Sequence, residues 1–401
     1  MIKFGIIKEG KVPQDKRVPL IPKHINQLLN DYPDAEVVVQ TSPIRCYPDG
    51  EYHDSGIDVV QNVADCDILL GVKEVPIPEL IENKTYLFFS HTIKAQPYNR
   101  DLLKEILRKN ITLLDYEALT NANGIRIVAF GRYAGIVGAY NSLLTYGKKL
   151  NLYNIRRAHE CFDLQDLTTE YANITLPNTK IVLTGGGRVA NGAMEVLDGV
   201  GIRKVSSAEF LTQEFDEPVY VQLNPLDYNK HKDNTEHPES YFFNNPTEYE
   251  ADFARFAQKA DLLIAGAYWD PAAPVLFTKE ELSSSSFKIK VIADITCDIE
   301  GSIPTTLRAT TIDKPWYDYN RTSYKEEESF SSEKNITVMS IDNLPNELPR
   351  NASQDFGYEL VNNVLPLFIN GDKDNVLERA TITRDGSLTK HYKYLESYVK
   401  D

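Results

Sequence analysis

The sequence predicts an α/β protein with two Rossmann-like, doubly wound parallel sheets, one in each of two domains. Short runs rich in β-branched and aromatic residues, bounded by polar turns, occur at 67–72, 85–90 and 111–116. Such runs are typical of buried strands. Between the second and third runs, residues 97–110 place their leucines and isoleucine on one helical face. The order strand, helix, strand implies parallel pairing with crossover helices.

The rest of the N-terminal part follows the same alternation. Residues 2–7 predict a first strand, and a proline-rich loop then leads to a helix over 22–30 and a strand over 35–40. We expect the apolar run 125–135 to be a further strand. Residues 136–170 predict a long helix that leaves the first domain.

A strand, a glycine turn and a helix follow within residues 176–205. The next strand is expected over 202–210, and residues 212–258 are expected to form a polar insertion on the sheet. Later strands are predicted at 260–266, 290–296 and 336–341, followed by an amphipathic helix. We therefore divide the chain into a discontinuous first domain, residues 1–138 and 342–401, and an inserted second domain, residues 139–341.

Composition narrows the class of protein. The chain has 401 residues, 42% hydrophobic and 25% charged, and a net charge of −15, which argues against nucleic acid or an anionic membrane as a partner. The four cysteines lack the spacing of a metal site or a disulfide framework, so no metal is expected. No secretory h-region or membrane-length apolar run is present, and we expect a cytoplasmic protein.

Ionisable residues follow three of the predicted strands directly. Ligands of parallel sheets bind beyond the carboxyl ends of the strands, so Lys73, His91 and Glu117 are expected to converge on one edge. Repulsion between neighbouring cations lowers their pKa values, whereas a nearby carboxylate raises them. The balance would bring the pKa of His91 or Lys73 close to neutrality, where proton transfer is efficient. Further charged residues are expected at the same edge: Arg17, Glu74, Lys94 and Arg126. The planar fork of Arg17 suits a carboxylate ligand.

The glycine turn fits the G-x-G-x-x-A form of a dinucleotide-binding unit, in which backbone N–H groups and a helix N-terminus receive a pyrophosphate. Its candidate cofactor-binding residues are Gly185, Gly186, Gly187, Arg188 and Val189. The second strand should end in an acidic residue that binds the ribose of NAD. Ser206 stands there instead, which leaves room for a 2′-phosphate and favours NADP over NAD.

At this point the motifs resemble a known family. GVKEVP, KTYLFFSHTIKAQ, LLDYEALTN and GIRIVAFGRYAG are similar to the lysine–2-oxoglutarate reductase half of animal and plant aminoadipic semialdehyde synthase. They are somewhat less similar to fungal saccharopine dehydrogenase (L-lysine-forming). The resemblance extends over nearly the whole chain, and it implies the two-domain fold of the alanine dehydrogenase and transhydrogenase superfamily.

The resemblance also implies a reaction and roles for the residues. L-Lysine and 2-oxoglutarate would condense reversibly to an imine, which NADP(H) or NAD(H) reduces to saccharopine. A lysine and a histidine act as the acid–base pair in such enzymes, and they match Lys73 and His91. The other implied roles are carboxylate binding by Arg17, Lys94 and Arg126, tuning and ammonium binding by Glu74 and Glu117, and a position near the nicotinamide ribose for Asp342.

Two alternatives remain open on the sequence. An amino-acid dehydrogenase of alanine dehydrogenase type would use a 2-oxo acid and ammonia, but the extra cations Lys94 and Arg126 fit a dicarboxylate better. A non-catalytic nucleotide-sensing relative would not need the lysine, histidine and carboxylate together. Glu74 is a departure, because the animal and plant enzymes have a basic residue there. The sequence is compatible with a homo-oligomer and does not establish one.

Overall fold

The structure is a computed structural model that describes residues 2–400, and it contains two compact units. Unit 1 comprises the chain up to Phe130 and from Pro349 onwards, and unit 2 comprises Gly131–Leu348. The predicted boundaries, at 138/139 and 341/342, lie a few residues inside unit 2. The difference at the first boundary arises because Gly131–Lys149 is one continuous helix, which packs within unit 2.

Unit 1 contains an eight-stranded sheet of the described residues, in the order β18-β17-β6-β5-β4-β1-β2-β3. Neighbours from β6 to β3 are parallel, whereas β17 and β18 are added antiparallel. The strands, numbered in chain order, are β1 Ile2–Ile6, β2 Ala35–Gln40, β3 Asp58–Val60, β4 Ile68–Leu70, β5 Thr85–Phe88, β6 Thr112–Asp115, β17 Thr381–Arg384 and β18 Ser387–Leu388.

Helices cover this sheet, and the central strands β1, β4, β5 and β6 form its buried core. Burial on both faces explains why these strands appear in the sequence as continuous apolar runs. The helices of unit 1 are α1 Pro22–Asp31, α2 Asp49–Asp54, α3 Arg100–Arg108, α12 Pro349–Asn363, α13 Leu365–Asn370, α14 Val376–Ala380 and α15 Glu396–Val399.

Unit 2 contains a second sheet of eight described strands, in the order β15-β14-β16-β13-β12-β7-β9-β8. Strands β16 to β8 are parallel, β14 and β15 are antiparallel, and β10 and β11 form a separate hairpin. The strands are β7 Lys180–Thr184, β8 Arg203–Lys204, β9 Val219–Leu223, β10 Asn229–His231, β11 Tyr249–Ala251, β12 Leu262–Ala265, β13 Val291–Asp294, β14 Trp316–Tyr319, β15 Glu326–Glu327 and β16 Ile336–Met339.

The helices of unit 2 are α4 Gly131–Lys149, α5 Leu164–Thr168, α6 Arg188–Val200, α7 Ser207–Thr212, α8 Pro225–Tyr228, α9 Glu239–Asn244, α10 Ala254–Ala257 and α11 Lys279–Ser283. Helices α4 and α6 pack with their backbones in close approach: a Cβ on Gly135 would lie 1.9 Å from the Val189 carbonyl oxygen.

No helix of the described residues has the length and apolar character of a membrane span.

The predicted fold class, two doubly wound α/β sheets, is confirmed, but four predicted elements are wrong. Residues 125–130 form no strand, and only Arg126 makes an isolated bridge, to Thr120. The long helix predicted over 136–170 begins at Gly131 and ends at Lys149, where Asn151 adopts a positive φ of 52°. The third error is the insertion predicted over 212–258, which contains β9, a buried strand of the main sheet. The fourth is the strand predicted over 202–210, which is limited to Arg203–Lys204 because Ser206 caps a helix that begins at Ser207.

Candidate functional site

The ends of β4, β5 and β6 carry a group of charged residues that we call the strand-end cluster. Lys73, His91 and Glu117 follow three adjacent parallel strands. Because parallel strands end at the same edge of a sheet, these three residues lie at one edge. Ion pairs with N···O distances of up to 3.9 Å link most of these charged residues. The members of the strand-end cluster are Lys11, Lys73, Glu74, His91, Lys94, Glu117 and Arg126.

Glu117 is the centre of this cluster. Its Oε2 lies 3.3 Å from His91 Nδ1, and its Oε1 lies 3.3 Å from Lys94 Nζ and 3.6 Å from an Arg126 guanidinium nitrogen. The Glu117 side chain is only 8% exposed, whereas Lys94 is 52% and Arg126 42% exposed. Burial opposes ionisation, but the His91 hydrogen bond and the Lys94 and Arg126 charges outweigh it and lower the pKa of Glu117 to about 2.

The contact with Glu117 determines the tautomer of neutral His91. An ionised carboxylate only accepts hydrogen bonds, so the imidazole donates through Nδ1–H and its lone pair lies on Nε2. Nε2 lies 3.9 Å from Glu74 Oε1, beyond hydrogen-bonding distance. The other Glu74 oxygen accepts a hydrogen bond from Lys11 Nζ at 2.9 Å. His91 therefore presents a proton-accepting nitrogen on the side away from Glu117.

The amino group of Lys73 makes no hydrogen bond or ion pair within residues 2–400. Burial, followed by the charges of Arg17 and Lys11, lowers the pKa of this amine. Its backbone N–H donates to Glu9 Oε2 at 2.9 Å, and the Val72 N–H donates to Glu9 Oε1 at 2.6 Å. The main chain of Lys73 is therefore anchored, and its amine remains available for proton transfer.

Glu9 is a residue that the sequence analysis missed. Burial, reinforced by the Asp15 carboxylate, raises the pKa of Glu9 to about 8. Glu9 follows β1, so the same strand-end rule that selected Lys73 would have selected Glu9 as well.

Arg17 binds a carboxylate of the protein itself, and its role toward a substrate carboxylate stays a prediction. Its Nε and one terminal nitrogen donate to the two oxygens of Asp15 at 2.9 and 2.5 Å, and both side chains are buried. The guanidinium carbon also lies 4.1 Å from the centroid of the Phe130 ring. One edge of the planar fork is thus already bound to a carboxylate of the protein.

In unit 2 the glycine turn joins β7 to α6 as predicted. Gly185 has a φ of 101°, a conformation that favours glycine, and a Cβ there would lie about 3.0 Å from the backbone of Ala267. A Cβ on Gly187 would meet no atom within 4 Å, which leaves open space beside the first turn of α6. Arg188 and Val189 are the first two residues of this 13-residue helix. Free N–H groups at a helix start suit a pyrophosphate.

Ser206 does not lie where the sequence analysis placed it. Strand β7 lies between β12 and β9, and β8, which precedes Ser206, pairs only with β9 at the outer edge of the sheet. Ser206 is the N-cap of α7: its hydroxyl donates to Glu209 Oε2 at 2.7 Å and accepts from the Glu209 N–H. The sequence analysis did not predict β9 and therefore took β8 as the neighbour of β7. For that reason it gave the ribose-binding position to the residue after β8.

Asn224 occupies the position that the prediction gave to Ser206. It follows β9 directly, and a Cβ on Gly186 would lie 2.7 Å from its Oδ1. The Gln222 amide donates to Asn224 Oδ1 at 3.0 Å and to the Gly185 carbonyl at 2.9 Å. The end of the strand next to the glycine turn therefore carries a neutral amide.

Asp342 is an exposed residue that follows β16. Its N–H donates to the Thr310 carbonyl at 3.3 Å, next to a bridge between Thr310 and Ile341. Burial, followed by the charge of Asp342, raises the pKa of Cys297 to about 12.

Within residues 2–400, no group of three or more His, Cys, Asp or Glu residues could hold a metal ion.

A glycine turn at a helix start on one doubly wound sheet, with a cluster of ionisable side chains at the strand ends of another, is typical of two-domain dehydrogenases. Family models agree with this class: the N-terminal domain of alanine dehydrogenase/PNT matches residues 5–137, and its C-terminal domain matches residues 167–395. The chain belongs to the alanine dehydrogenase/PNT family.

Among the relatives is the mitochondrial alpha-aminoadipic semialdehyde synthase of Rattus norvegicus, 30% identical over 95% of this chain and 46% of the relative. The NAD(+), L-lysine-forming saccharopine dehydrogenase of Yarrowia lipolytica is 26% identical over 91% of this chain and 92% of the relative. The chain spans less than half the length of the semialdehyde synthases it matches.

Solved structures share the fold. An L-alanine dehydrogenase superposes with a TM-score of 0.65 at 18% identity, with 99% of each chain covered. A transhydrogenase from Sinorhizobium meliloti superposes with a TM-score of 0.60 at 16% identity, over 96% of this chain and all of the other. These likenesses concern the fold alone.

Proposed function

We propose that this protein condenses L-lysine with 2-oxoglutarate and reduces the imine to saccharopine, with a nicotinamide dinucleotide as the hydride donor. The observation that carries the proposal is the arrangement around Glu117, where two half-exposed cations, Lys94 and Arg126, accompany the histidine. A second carboxylate on the substrate would use such cations, whereas a small 2-oxo acid would not. Relatives named for saccharopine and aminoadipic semialdehyde chemistry support the same conclusion.

In the proposed reaction, the ε-amine of L-lysine adds to the ketone carbon of 2-oxoglutarate. His91 Nε2 takes one proton from the adding nitrogen and passes it to the alkoxide, which gives the carbinolamine. It then takes the second proton of that nitrogen and passes it to the hydroxyl, which leaves as water and gives the neutral imine. Protonated Lys73, whose pKa is lowered by burial, gives a proton to the imine nitrogen as the imine carbon is reduced. The bound cofactor supplies the hydride that reduces the imine carbon. Arg126 and Lys94 hold the carboxylates of 2-oxoglutarate, Arg17 orients a substrate carboxylate from its Asp15-bound position, and Glu74 receives the ammonium group.

The experiment is oxidation of NADPH, and of NADH in parallel, by the purified protein with L-lysine and 2-oxoglutarate. Pyruvate with ammonium serves as the control pair. Lysine-dependent oxidation supports the proposal, and His91→Ala should lower its rate by about 100-fold or more. Turnover with pyruvate and ammonium alone would assign the chain to alanine dehydrogenase chemistry. Dinucleotide binding without turnover of either pair would favour a nucleotide-sensing protein.

We propose NADP(H) as the preferred cofactor. The pyrophosphate would be held by the N–H groups of the glycine turn and by Arg188, with Asp342 near the nicotinamide ribose. The neutral Asn224 amide next to the glycine turn leaves a 2′-phosphate unopposed, whereas an acidic residue there would repel it. Asn224→Asp should therefore raise the ratio of kcat/KM for NADH to that for NADPH by about 10-fold.

Ser206→Asp is the matched control for the cofactor proposal. Aspartate is also a good N-cap, and Ser206 follows the outer strand β8, so this variant should leave the NADH to NADPH ratio unchanged. If Ser206→Asp shifts the ratio and Asn224→Asp does not, the assignment of the ribose-binding position to Asn224 is wrong.

A further inference from the structure

A buried aspartate, Asp115, binds the backbone of two members of the strand-end cluster and has no role in the reaction proposed above. Asp115 is the last residue of β6 and is fully buried. In the parallel register its neighbour is Phe88, the last residue of β5. The Asp115 carboxylate therefore lies where the backbone of β5 leaves the sheet and its N–H groups lose their strand partners.

Four donors converge on this carboxylate. Oδ2 accepts from the Ser90 N–H at 3.0 Å, from the Ser90 hydroxyl at 2.5 Å and from the His91 N–H at 3.2 Å. Oδ1 accepts from the Glu117 N–H at 2.8 Å. One side chain thus binds the main chain of both partners in the His91–Glu117 contact.

The backbone at His91 depends on such an anchor. His91 has a φ of 54°, in the left-handed region that residues with a Cβ rarely adopt. Ser90, which precedes it, is fully buried and also bonds the Thr92 hydroxyl at 2.8 Å. These bonds supply the local stabilisation that holds a non-glycine residue in this conformation.

We propose that Asp115 is the positioning residue of the acid–base site, which sets His91 and Glu117 in one geometry. By fixing both backbones it keeps the Glu117 carboxylate on Nδ1, and so keeps the lone pair of neutral His91 on Nε2. The catalytic consequence of this inference rests on the role proposed for His91 above, whereas the tautomer is a property of the protein alone.

The substitution Asp115→Asn separates the two halves of this anchor. The single amide oxygen of asparagine satisfies the three donors on the side of Ser90 and His91, and its NH₂ group then faces the Glu117 N–H, which is also a donor. The variant should therefore keep the His91 turn, lose the Glu117 anchor and resemble Glu117→Gln. Misplacement of a proton-transferring group by about 1 Å lowers kcat by about 100-fold.

A double-mutant cycle tests the coupling between Asp115 and Glu117. If Asp115 acts through Glu117, Asp115→Asn should lower kcat by about 100-fold in the wild-type background and by less than about 3-fold in Glu117→Gln. Equal factors in the two backgrounds would overturn the proposal, as would an unchanged kcat in the single variant. Asp67→Asn is the control, because this aspartate accepts the Lys3 N–H at 2.9 Å just before β4 begins, at the sheet edge opposite the strand-end cluster, and should leave kcat unchanged.

Nitrogen-15 NMR of histidine-labelled protein gives a readout that needs no substrate. The His91 signals, identified by their loss in His91→Gln, should show the Nδ1–H form in the wild type and a mixture of both tautomers in Asp115→Asn and Glu117→Gln. An unchanged tautomer in Asp115→Asn would refute the positioning role even if lysine turnover is absent. Conversely, a changed tautomer in a protein that does not turn over lysine would support the positioning role of Asp115 and refute only the proposed reaction.

Ser90→Ala provides a second variant in case Asp115→Asn does not fold. It removes one of the four donors and leaves three N–H groups on the carboxylate. Loss of one hydrogen bond should move the His91 tautomer in the same direction and lower kcat by about 3- to 10-fold. A wild-type tautomer and kcat in this variant would count against the proposal.

Discussion

Neutralising the carboxylate at the centre of the strand-end cluster should destabilise unit 1 by an amount that the structure determines. The pKa of Glu117 falls from 4.5 to about 2 because His91, Lys94 and Arg126 outweigh its burial. A shift of that size corresponds to about 3 kcal/mol of free energy of unfolding at pH 7. Glu117→Gln has the charge of the protonated form, so we expect it to lower the free energy of unfolding by about 3 kcal/mol.

The sign of the pH dependence follows from the lowered pKa. A depressed carboxyl pKa stabilises the folded state above pH 4.5, and this stabilisation is lost as the pH falls towards 2. The difference between wild type and Glu117→Gln should therefore be constant from pH 7 to about 5.5 and shrink to about 2 kcal/mol at pH 3.5. Amide hydrogen exchange in β6 is the appropriate assay, because both tryptophans, Trp269 and Trp316, belong to unit 2 and cannot report on unit 1.

Glu105→Gln serves as the control for this measurement. Glu105 pairs with Arg108 on the surface of α3, and exposed pairs of this kind contribute little, so its exchange should match that of the wild type. A difference below about 1 kcal/mol for Glu117→Gln at pH 7, or one that stays constant down to pH 3.5, would refute the electrostatic account of the cluster.

Two further predictions concern the amine and the helix packing. Lys11→Met should move the descending limb of the kcat/KM pH profile for NADPH oxidation to higher pH, because it removes a charge that lowers the pKa of Lys73, the proposed proton donor to the imine nitrogen; an unmoved or lowered limb would contradict this cause. Gly135→Ala should lower the free energy of unfolding of unit 2 by about 1–3 kcal/mol, because its Cβ would lie 1.9 Å from the Val189 carbonyl oxygen. Tryptophan fluorescence during thermal unfolding checks this result. Gly50→Ala, whose Cβ would have no atom within 4 Å, should not destabilise unit 1 by circular dichroism.

The sequence predicted the strands that appear as continuous apolar runs bounded by turns, and it failed for a strand that lies within a long polar stretch. Strands β4, β5 and β6 were recognisable as continuous apolar runs, because helices cover both sides of a parallel sheet. Strand β9 has five residues and lies between polar segments, and nothing local indicates that it pairs with β7. Its omission moved the predicted ribose-binding position from Asn224 to Ser206. Strand order is a tertiary property, and a single sequence does not encode it locally.

The candidate site shows the same division. The rule that ligands bind beyond parallel strand ends selected Lys73, His91 and Glu117, because each follows a recognisable strand by a few residues. The partners of these residues depend on packing instead. That Asp15 binds the fork of Arg17, and that Glu9 binds the main chain before Lys73, follows from loop geometry after β1, which the sequence does not determine.

Four carboxyl groups of unit 1 bind their partners in two different ways, and the difference bears on the proposed function. Asp15 and Glu117 bind side chains and so offset positive charge directly. Glu9 and Asp115 bind backbone N–H groups, and the Glu9 contact fixes the main chain of Lys73 without engaging its amine. Burial also raises the pKa of Glu9 to about 8, so most of it is uncharged at neutral pH and it does little to raise the pKa of the Lys73 amine. A site that must keep an amine free for proton transfer therefore gains more from a carboxyl group on the main chain than from an ion pair.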